Sequence, residues 1–332
     1  MTVIVVLAVT VIARSAATKQ SLCYDIACMG AQETNEQNTE QAELQFDLFS
    51  WYPGHIAKAE RQLKEKIKAV DIIIELRDAR IPEASAHQDL DEWANPAANR
   101  KTEGFVEKPI LVVFTKSDLA DPYKLKPAIQ KYNAIEVDAK KGKLGSLMKR
   151  LDKAAEPVRA KFKAKGVLNR PARIMVVGYP NVGKSSLINK LAKKKKAKVE
   201  NRPGVTRQQQ WVDLPLQSLK LLDTPGIIPT KLYSKEQALK LALCNCLGDK
   251  SFDHVPLARE VISFIDGIYP GAIAGYYGLT EDEELNLENI ALKRSWLQVS
   301  RDGDRYPDLE RAGTKVLNDC RDLKFGRVSF DT

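Results

Sequence analysis

Histidine occurs only three times in 332 residues and cysteine five times, and that scarcity narrows the chemistry the chain can perform. The cysteines, Cys23, Cys28, Cys244, Cys246 and Cys320, are odd in number, widely spaced and without the two-pair spacing of a structural zinc site. A disulfide framework does not fit, and a reducing compartment does. Cys244 and Cys246, two thiols with no histidine nearby, read as small helix residues. Long hydrophobic runs are also missing. Thr2 to Ala13 is nearly all apolar, but it is shorter than the roughly 18 residues that span a bilayer and lacks the basic start of a secretory signal. A membrane anchor is not expected. Acidic residues are absent before Asp25 while Arg14 and Lys19 are present, so an organelle transit peptide and a misassigned start codon are both open readings. Residues 31–46, rich in Gln, Glu, Asn and Thr and without apolar periodicity, read as a solvated linker. Residues 1–48 are therefore set outside the fold, as an extension that is disordered or misassigned.

What remains is long enough for one substantial core and a second, smaller one. The 52 Lys and Arg against 43 Asp and Glu give a net charge of +9, which favours a polyanionic partner. Ile56, Leu63, Ile67 and Val70 lie on one face of a helix that feeds a strand from Val70 to Leu76. Pro109 to Phe114, Ala134 to Val137 and Arg173 to Val177 are short apolar runs of the buried parallel kind. Leu144, Leu147, Met148, Leu151, Ala155, Val158 and Phe162 fall at helical spacing between them. Gln210 to Leu214 and Leu219 to Leu222 read as a ribbon pair. The expectation is an α/β sandwich over residues 49–230. After it strands stop, and residues 231–332 read as a small all-helical domain that opens on the capping pair Ser234 and Gln237 and closes on the face of Leu309, Ala312, Val316, Leu317, Cys320 and Leu323.

The most specific motif is Gly178-Tyr-Pro-Asn-Val-Gly-Lys-Ser185, a P-loop pattern standing directly after a predicted strand and before a helix starting near Ser186. Backbone N–H groups through Asn181, Val182 and Gly183 would point inward at phosphate oxygens, aided by the helix start at Ser186. Lys184 reaches the terminal phosphates and the Ser185 hydroxyl is placed to ligate Mg²⁺. Thr115-Lys116-Ser117-Asp118 ends another strand. Its Asp118 can accept from the ring N–H and amine of guanine, whereas adenine would leave that carboxylate unpaired at about 1–3 kcal/mol per lost bond. Lys116 would lie along the base and tie the two loops together. Asp138-Ala139-Lys140 would offer a backbone N–H to the base carbonyl. Asp223-Thr-Pro225-Gly226 would hold a Mg²⁺-bound water and sense the γ-phosphate, with Thr206 completing the metal shell.

The base motifs precede the phosphate motifs, the reverse of their order in Ras-like G proteins. Such a permutation is tolerated because the original chain ends lie close in a compact sheet. The segment after Gly226 then runs straight into the helical part, a covalent route from phosphate state to domain orientation.

Trp51-Tyr-Pro-Gly-His-Ile-Ala-Lys-Ala59, Asp78-Ala-Arg-Ile-Pro82, the permuted motifs and Lys324-Phe-Gly-Arg-Val-Ser329 together resemble the ribosome biogenesis GTPase A family over residues 50–330. That resemblance implies a GTPase, bacterial or organellar, that binds GTP, GDP and Mg²⁺ and acts on the precursor of the large ribosomal subunit late in assembly. Its helical domain would touch ribosomal RNA, and neither a membrane nor DNA is an expected partner. Location follows as cytoplasm, or an organelle matrix if residues 1–48 are a transit peptide. Two positions depart from the family: Thr115 stands where Asn is common, and Asp138 replaces a small polar residue. Ile227 occupies the place of the water-positioning Gln of Ras-like proteins, and the resemblance points instead to His55 as the catalytic residue, a helix-capping role being the alternative. Asn181 resembles the P-loop asparagine of K⁺-stimulated GTPases. Lys193–Lys196, Arg159–Lys165, and Lys293, Arg294, Arg311, Lys315, Arg321, Lys324 and Arg327 are candidate phosphate contacts. Rival readings are a GTPase acting in tRNA modification or on another RNA-protein partner, and an RNA-binding module that holds nucleotide without hydrolysing it.

Overall fold

The first four residues of the first described strand, Ile72 to Ile74 and then Glu75, are buried on both faces of the sheet, which requires helices above and below it. The structure is a computed structural model, and it describes residues 53–96, 107–137, 144–167, 170–192, 211–214, 219–222, 234–248 and 252–331. Residues 1–48, Ala139, Lys140, the run Lys193–Lys196, Thr206, Asp223, Pro225 and Gly226 lie outside the described residues.

Helix α1 (Pro53–Ala69) lays Leu63 and Ile67 on the sheet, where they pack with Val70, Ile73, Met175, Val177 and Leu222. Its outer face is charged, with Lys64 paired to Glu60 one turn back. A short turn leads into β1 (Ile72–Asp78), two residues later than the hydrophobic run alone suggests. The run continues through α2 (Leu90–Ala94), β2 (Ile110–Thr115), α3 (Pro122–Lys131), β3 (Ile135–Glu136), α4 (Gly145–Ala164), β4 (Ala172–Val177) and α5 (Lys184–Leu191). β5 (Trp211–Asp213) and β6 (Leu219–Leu222) complete the sheet. Strand order is β3-β2-β1-β4-β6-β5, all parallel except β5, which runs antiparallel to β6. Chain connections leave β1 toward β2 and leave β4 toward β6, so the order reverses between the adjacent strands β1 and β4. In open parallel sheets, ligands bind outside the carboxyl ends of the strands at such a reversal.

The second half is mostly helical: α6 (Lys235–Leu243), α7 (His254–Ile268), α8 (Ala272–Tyr277), α9 (Leu287–Lys293) and α10 (Leu309–Arg321). Side-chain oxygens of Ser234, Asp253, Asn286 and Asp308 each accept a first-turn N–H, so these helix starts are set locally. The all-helical expectation needs correction. A small antiparallel hairpin, β7 (Leu297–Val299) and β8 (Arg305–Pro307), sits between α9 and α10. Its signal is in the sequence: Asp302-Gly303, with Gly303 at φ +90°, is a turn dipeptide between two short strands.

Trp51 to Thr332 form one compact unit. The tail Val328–Asp331 is buried and runs back along the sheet's carboxyl edge. The Phe330 N–H donates to the Arg80 carbonyl (2.8 Å), and the Asp331 carboxylate accepts from the N–H groups of Glu83 and Ala84 (2.5 and 3.2 Å). Ser329 Oγ accepts from the Asp121 N–H at 3.1 Å.

Helix α10 crosses α7 closely at Gly313, where a Cβ would lie 2.9 Å from the His254 carbonyl oxygen. Gly313→Ala should therefore lower stability by about 1–3 kcal/mol, although alanine is the better helix former by about 1 kcal/mol. Urea unfolding checks the sign: a variant as stable as the parent, or more so, would show that the helices separate freely at this point.

Candidate functional site

The loop between β4 and α5 begins at a residue that can carry no side chain. A Cβ on Gly178 would sit 2.7 Å from the Leu76 carbonyl oxygen of β1, so the loop can leave the sheet this close to its neighbour only as glycine. Gly183, at φ +102°, caps α5 and brings no side-chain oxygen to its first turn. That leaves an uncapped helix start aimed along the sheet edge, the usual arrangement for an anion. The Lys184 amine is buried beneath the loop and donates to the carbonyls of Gly178 (3.1 Å) and Tyr179 (2.6 Å). Asn181 stands at φ +55° in the middle of the loop, and its Nδ2 donates to the Asn245 carbonyl at 2.9 Å. Val182 is buried, and Ser185 and Ser186 are half-buried in the first turn of α5.

The loop after β2 lies alongside. Thr115 pairs with Asp78 across the two strands, and its hydroxyl donates to the Val182 carbonyl at 2.5 Å. The threonine hydroxyl thereby stitches the loop after β2 to the loop after β4. The expected tie through Lys116 is different in kind. Lys116, at φ +57°, turns its amine to Asp78 (2.9 Å). Ser117 is buried and Asp118 is half-buried in the turn that follows. His55 falls in the first turn of α1, and its side chain lies outside the described residues.

Asp78 is the residue whose part was missed. Fully buried, it accepts from Arg80 Nε (3.0 Å), Arg80 Nη2 (2.8 Å) and the Arg80 N–H (3.1 Å) while pairing with Lys116. Burial alone would raise its pKa, but the Arg80 guanidinium and the Lys116 ammonium overcome that and hold the carboxyl well below the usual carboxylate range. Burial pushes Lys116 down, and Asp78 more than restores it, so the amine stays charged. Three thiols close the cluster from the helical side: burial pushes Cys246 up to about 11 and Cys320 up to about 12, and raises Cys244 well above its ordinary value. They are neutral packing residues, and among the described residues no group of His, Cys, Asp and Glu could hold a metal.

The basic residues divide. Lys293 pairs with Glu283 (2.8 Å), the Arg294 guanidinium donates to the Tyr276 carbonyl (2.8 Å), and Arg321 donates to the carbonyls of Ala242 and Leu243. Arg159 pairs with Asp152 at 2.7 Å. Arg311, Lys315, Lys324 and Arg327 are exposed.

Asp78→Asn leaves Arg80 and Lys116 buried against a neutral amide, and the expected loss is about 3–5 kcal/mol of stability. Because the folded-state pKa lies below the unfolded one, the carboxylate's contribution is complete at neutral pH and is lost as the pH falls from the ordinary carboxylate range toward the depressed value. Urea unfolding between neutral and acid pH should therefore show a flatter stability curve for the variant. A parent and variant of equal stability at neutral pH would contradict the assignment.

A sequence profile of the family described as "50S ribosome-binding GTPase" matches residues 173–265. Ribosome biogenesis GTPase A of Priestia megaterium is 37% identical over 293 residues, covering 85% of this chain and 96% of that protein. Mitochondrial ribosome-associated GTPase 1 of the mouse is 31% identical over 310 residues, covering 86% of this chain and 90% of that protein. The crystal structure of GNP-bound YlqF from Thermotoga maritima is similar with a TM-score of 0.52 at 26% identity, covering 82% of this chain and 97% of that one.

Proposed function

The chain belongs to the ribosome biogenesis GTPase A family, and from that premise we propose that it is a GTP-driven switch that binds the precursor of the large ribosomal subunit and is released on hydrolysis, late in assembly. It is a guanine-nucleotide-binding GTP hydrolase of ribosome assembly. The observation that carries the finer reading is the 2.5 Å bond from the Thr115 hydroxyl to the Val182 carbonyl, which supports a base loop and a phosphate loop acting as one site. In this reading residues 49–230 are the nucleotide domain and residues 231–332 the domain that meets the ribosomal particle. Arg311, Lys315, Lys324 and Arg327 are its phosphate contacts, read by shape and charge more than by base identity. No described helix is long and apolar enough to cross a membrane. The cytoplasm is the proposed location, with an organelle matrix if residues 1–48 are a transit peptide.

Asp118 accepts from the guanine ring, with Lys116 and Ser117 shaping its loop and Ala139 and Lys140 closing over the base. The N–H groups of Asn181 to Gly183, the start of α5 at Ser186 and the Lys184 amine take the phosphates. Pro225 and Gly226 meet the γ-phosphate. In this reading Mg²⁺ would be held by hydroxyls and phosphate oxygens, Ser185 and Thr206 directly and Asp223 through water. Mg²⁺ so held would neutralise charge on the transferring phosphoryl group, and K⁺ beside Asn181 would add to that. Water attacks the γ-phosphorus as the bond to the β-phosphate oxygen breaks, giving GDP and phosphate. His55, in the first turn of α1, is the group that orients the water in this reading.

Two variants separate these roles. Asp118→Asn should cost GTP affinity at least about a hundredfold and accept xanthosine triphosphate in its place, since an amide donates where xanthine offers an oxygen; unchanged GTP affinity in a fluorescent-nucleotide titration would remove Asp118 from the base site. His55→Ala should slow particle-stimulated hydrolysis about a hundredfold with GDP affinity intact. Sedimentation with large ribosomal subunits tests the whole. Binding with a non-hydrolysable GTP analogue, release with GDP and a stimulated GTPase rate are expected, and no binding in either state would send the switch to another RNA or protein partner.

A further inference from the structure

Helix α6 ends in a left-handed turn whose free carbonyl grips the phosphate loop. Asn245, the second residue past the helix, is at φ +56°. Its N–H donates back to the Ala242 carbonyl (3.0 Å), and the Cys246 N–H donates to the Leu241 carbonyl (2.7 Å), the paired bonds of a left-handed helix stop. This reversal takes the Asn245 carbonyl out of the helix, where it accepts from Asn181 Nδ2 at 2.9 Å. A carbonyl accepts only from the amine end of a carboxamide, so the bond fixes which way the Asn181 side chain is turned and sends its oxygen away from α6. It also pins the one non-glycine residue of the loop that stands at positive φ, and the directions of the neighbouring N–H groups follow from that backbone.

The turn is held from behind by the last helix. Arg321, on α10, donates through Nη2 to the Ala242 carbonyl (2.9 Å) and through Nε to the Leu243 carbonyl (3.3 Å). Both belong to the final turn of α6, whose carbonyls lack helical partners. Ala242 thus accepts from Asn245 and Arg321 together.

We infer that Asn245 is a positioning residue for GTP hydrolysis, its main-chain carbonyl orienting Asn181 in the phosphate loop, and that Arg321 sets that carbonyl from the helical side. The inference rests on the GTPase reading. It gives a partner seated on α10 a route of hydrogen bonds to the nucleotide that is separate from the covalent one after Gly226.

The side chain of Asn245 is dispensable in this scheme and its backbone conformation is not. In the full chain, Asn245→Gly keeps the left-handed turn and the carbonyl, so kcat and KM should stay within about twofold of the parent. Asn245→Val strains the turn, and kcat should fall about tenfold with KM and GDP affinity changed less than about twofold. Arg321→Met, which keeps the packing stem and removes the donors, should lower kcat about threefold at unchanged GDP affinity. Should the valine variant fail to fold, the methionine variant decides. Parental kcat in a folded valine or methionine variant, or a glycine variant as slow as the valine one, overturns the inference. A parent protein that binds no guanine nucleotide would instead overturn the GTPase reading, and the inference with it.

Discussion

A single buried carboxylate holds the sheet's working edge together. Asp78 ends β1, beside the reversal point of the sheet, and it carries two cations with it into the interior: Arg80 from its own loop and Lys116 from the loop after β2. Two positive charges could not be buried there without it, and the carboxylate could not be buried without them. With the cluster formed, Lys116 adopts its positive φ, the turn carrying Ser117 and Asp118 is set, and Thr115 reaches the phosphate loop. The main chain of Arg80 in turn offers the carbonyl that receives Phe330 from the tail.

The helical half is joined to that edge from two directions. At one end the tail Val328–Asp331 lies along the loops that follow β1 and β2, with Lys240 of α6 paired to Asp331 at 3.1 Å. At the other the end of α6 meets the phosphate loop at Asn181. Both contacts include directional hydrogen bonds, which break or hold with small displacements. A nucleotide that shifts the phosphate loop therefore meets resistance from the helices, and a partner that shifts the helices acts on the loop. By linkage the two effects are equal in free energy for binding.

Much of this was legible in the sequence. Leu63, Ile67, Leu147, Leu151, Ala155, Val316 and Leu317 take the buried faces that their spacing predicts. The glycine at 178 and the left-handed glycine at 183 are demanded by the backbone, which is why a pattern of residue types locates that loop. The β7–β8 hairpin is signalled only by its Asp302-Gly303 turn, because each strand is three residues long, too short for alternation to rise above the helical texture around it. The role of Asp78 was hidden for another reason. Its partners are set by which strands lie side by side, and that depends on contacts far apart in the chain. Asn245 is similar: an asparagine after a helix signals a stop, but nothing local says what its carbonyl will meet.

The central claim is that the nucleotide site and the helical half respond as one body. Hydrogen exchange of the full chain, followed by mass spectrometry with GDP and then with a non-hydrolysable GTP analogue, tests it most directly. The account predicts that changing the nucleotide alters protection in the phosphate loop and, in the same step, in the end of α6 and in the tail. A change confined to the phosphate loop, with the Leu241–Cys246 turn and Val328–Asp331 exchanging alike in both states, would contradict it.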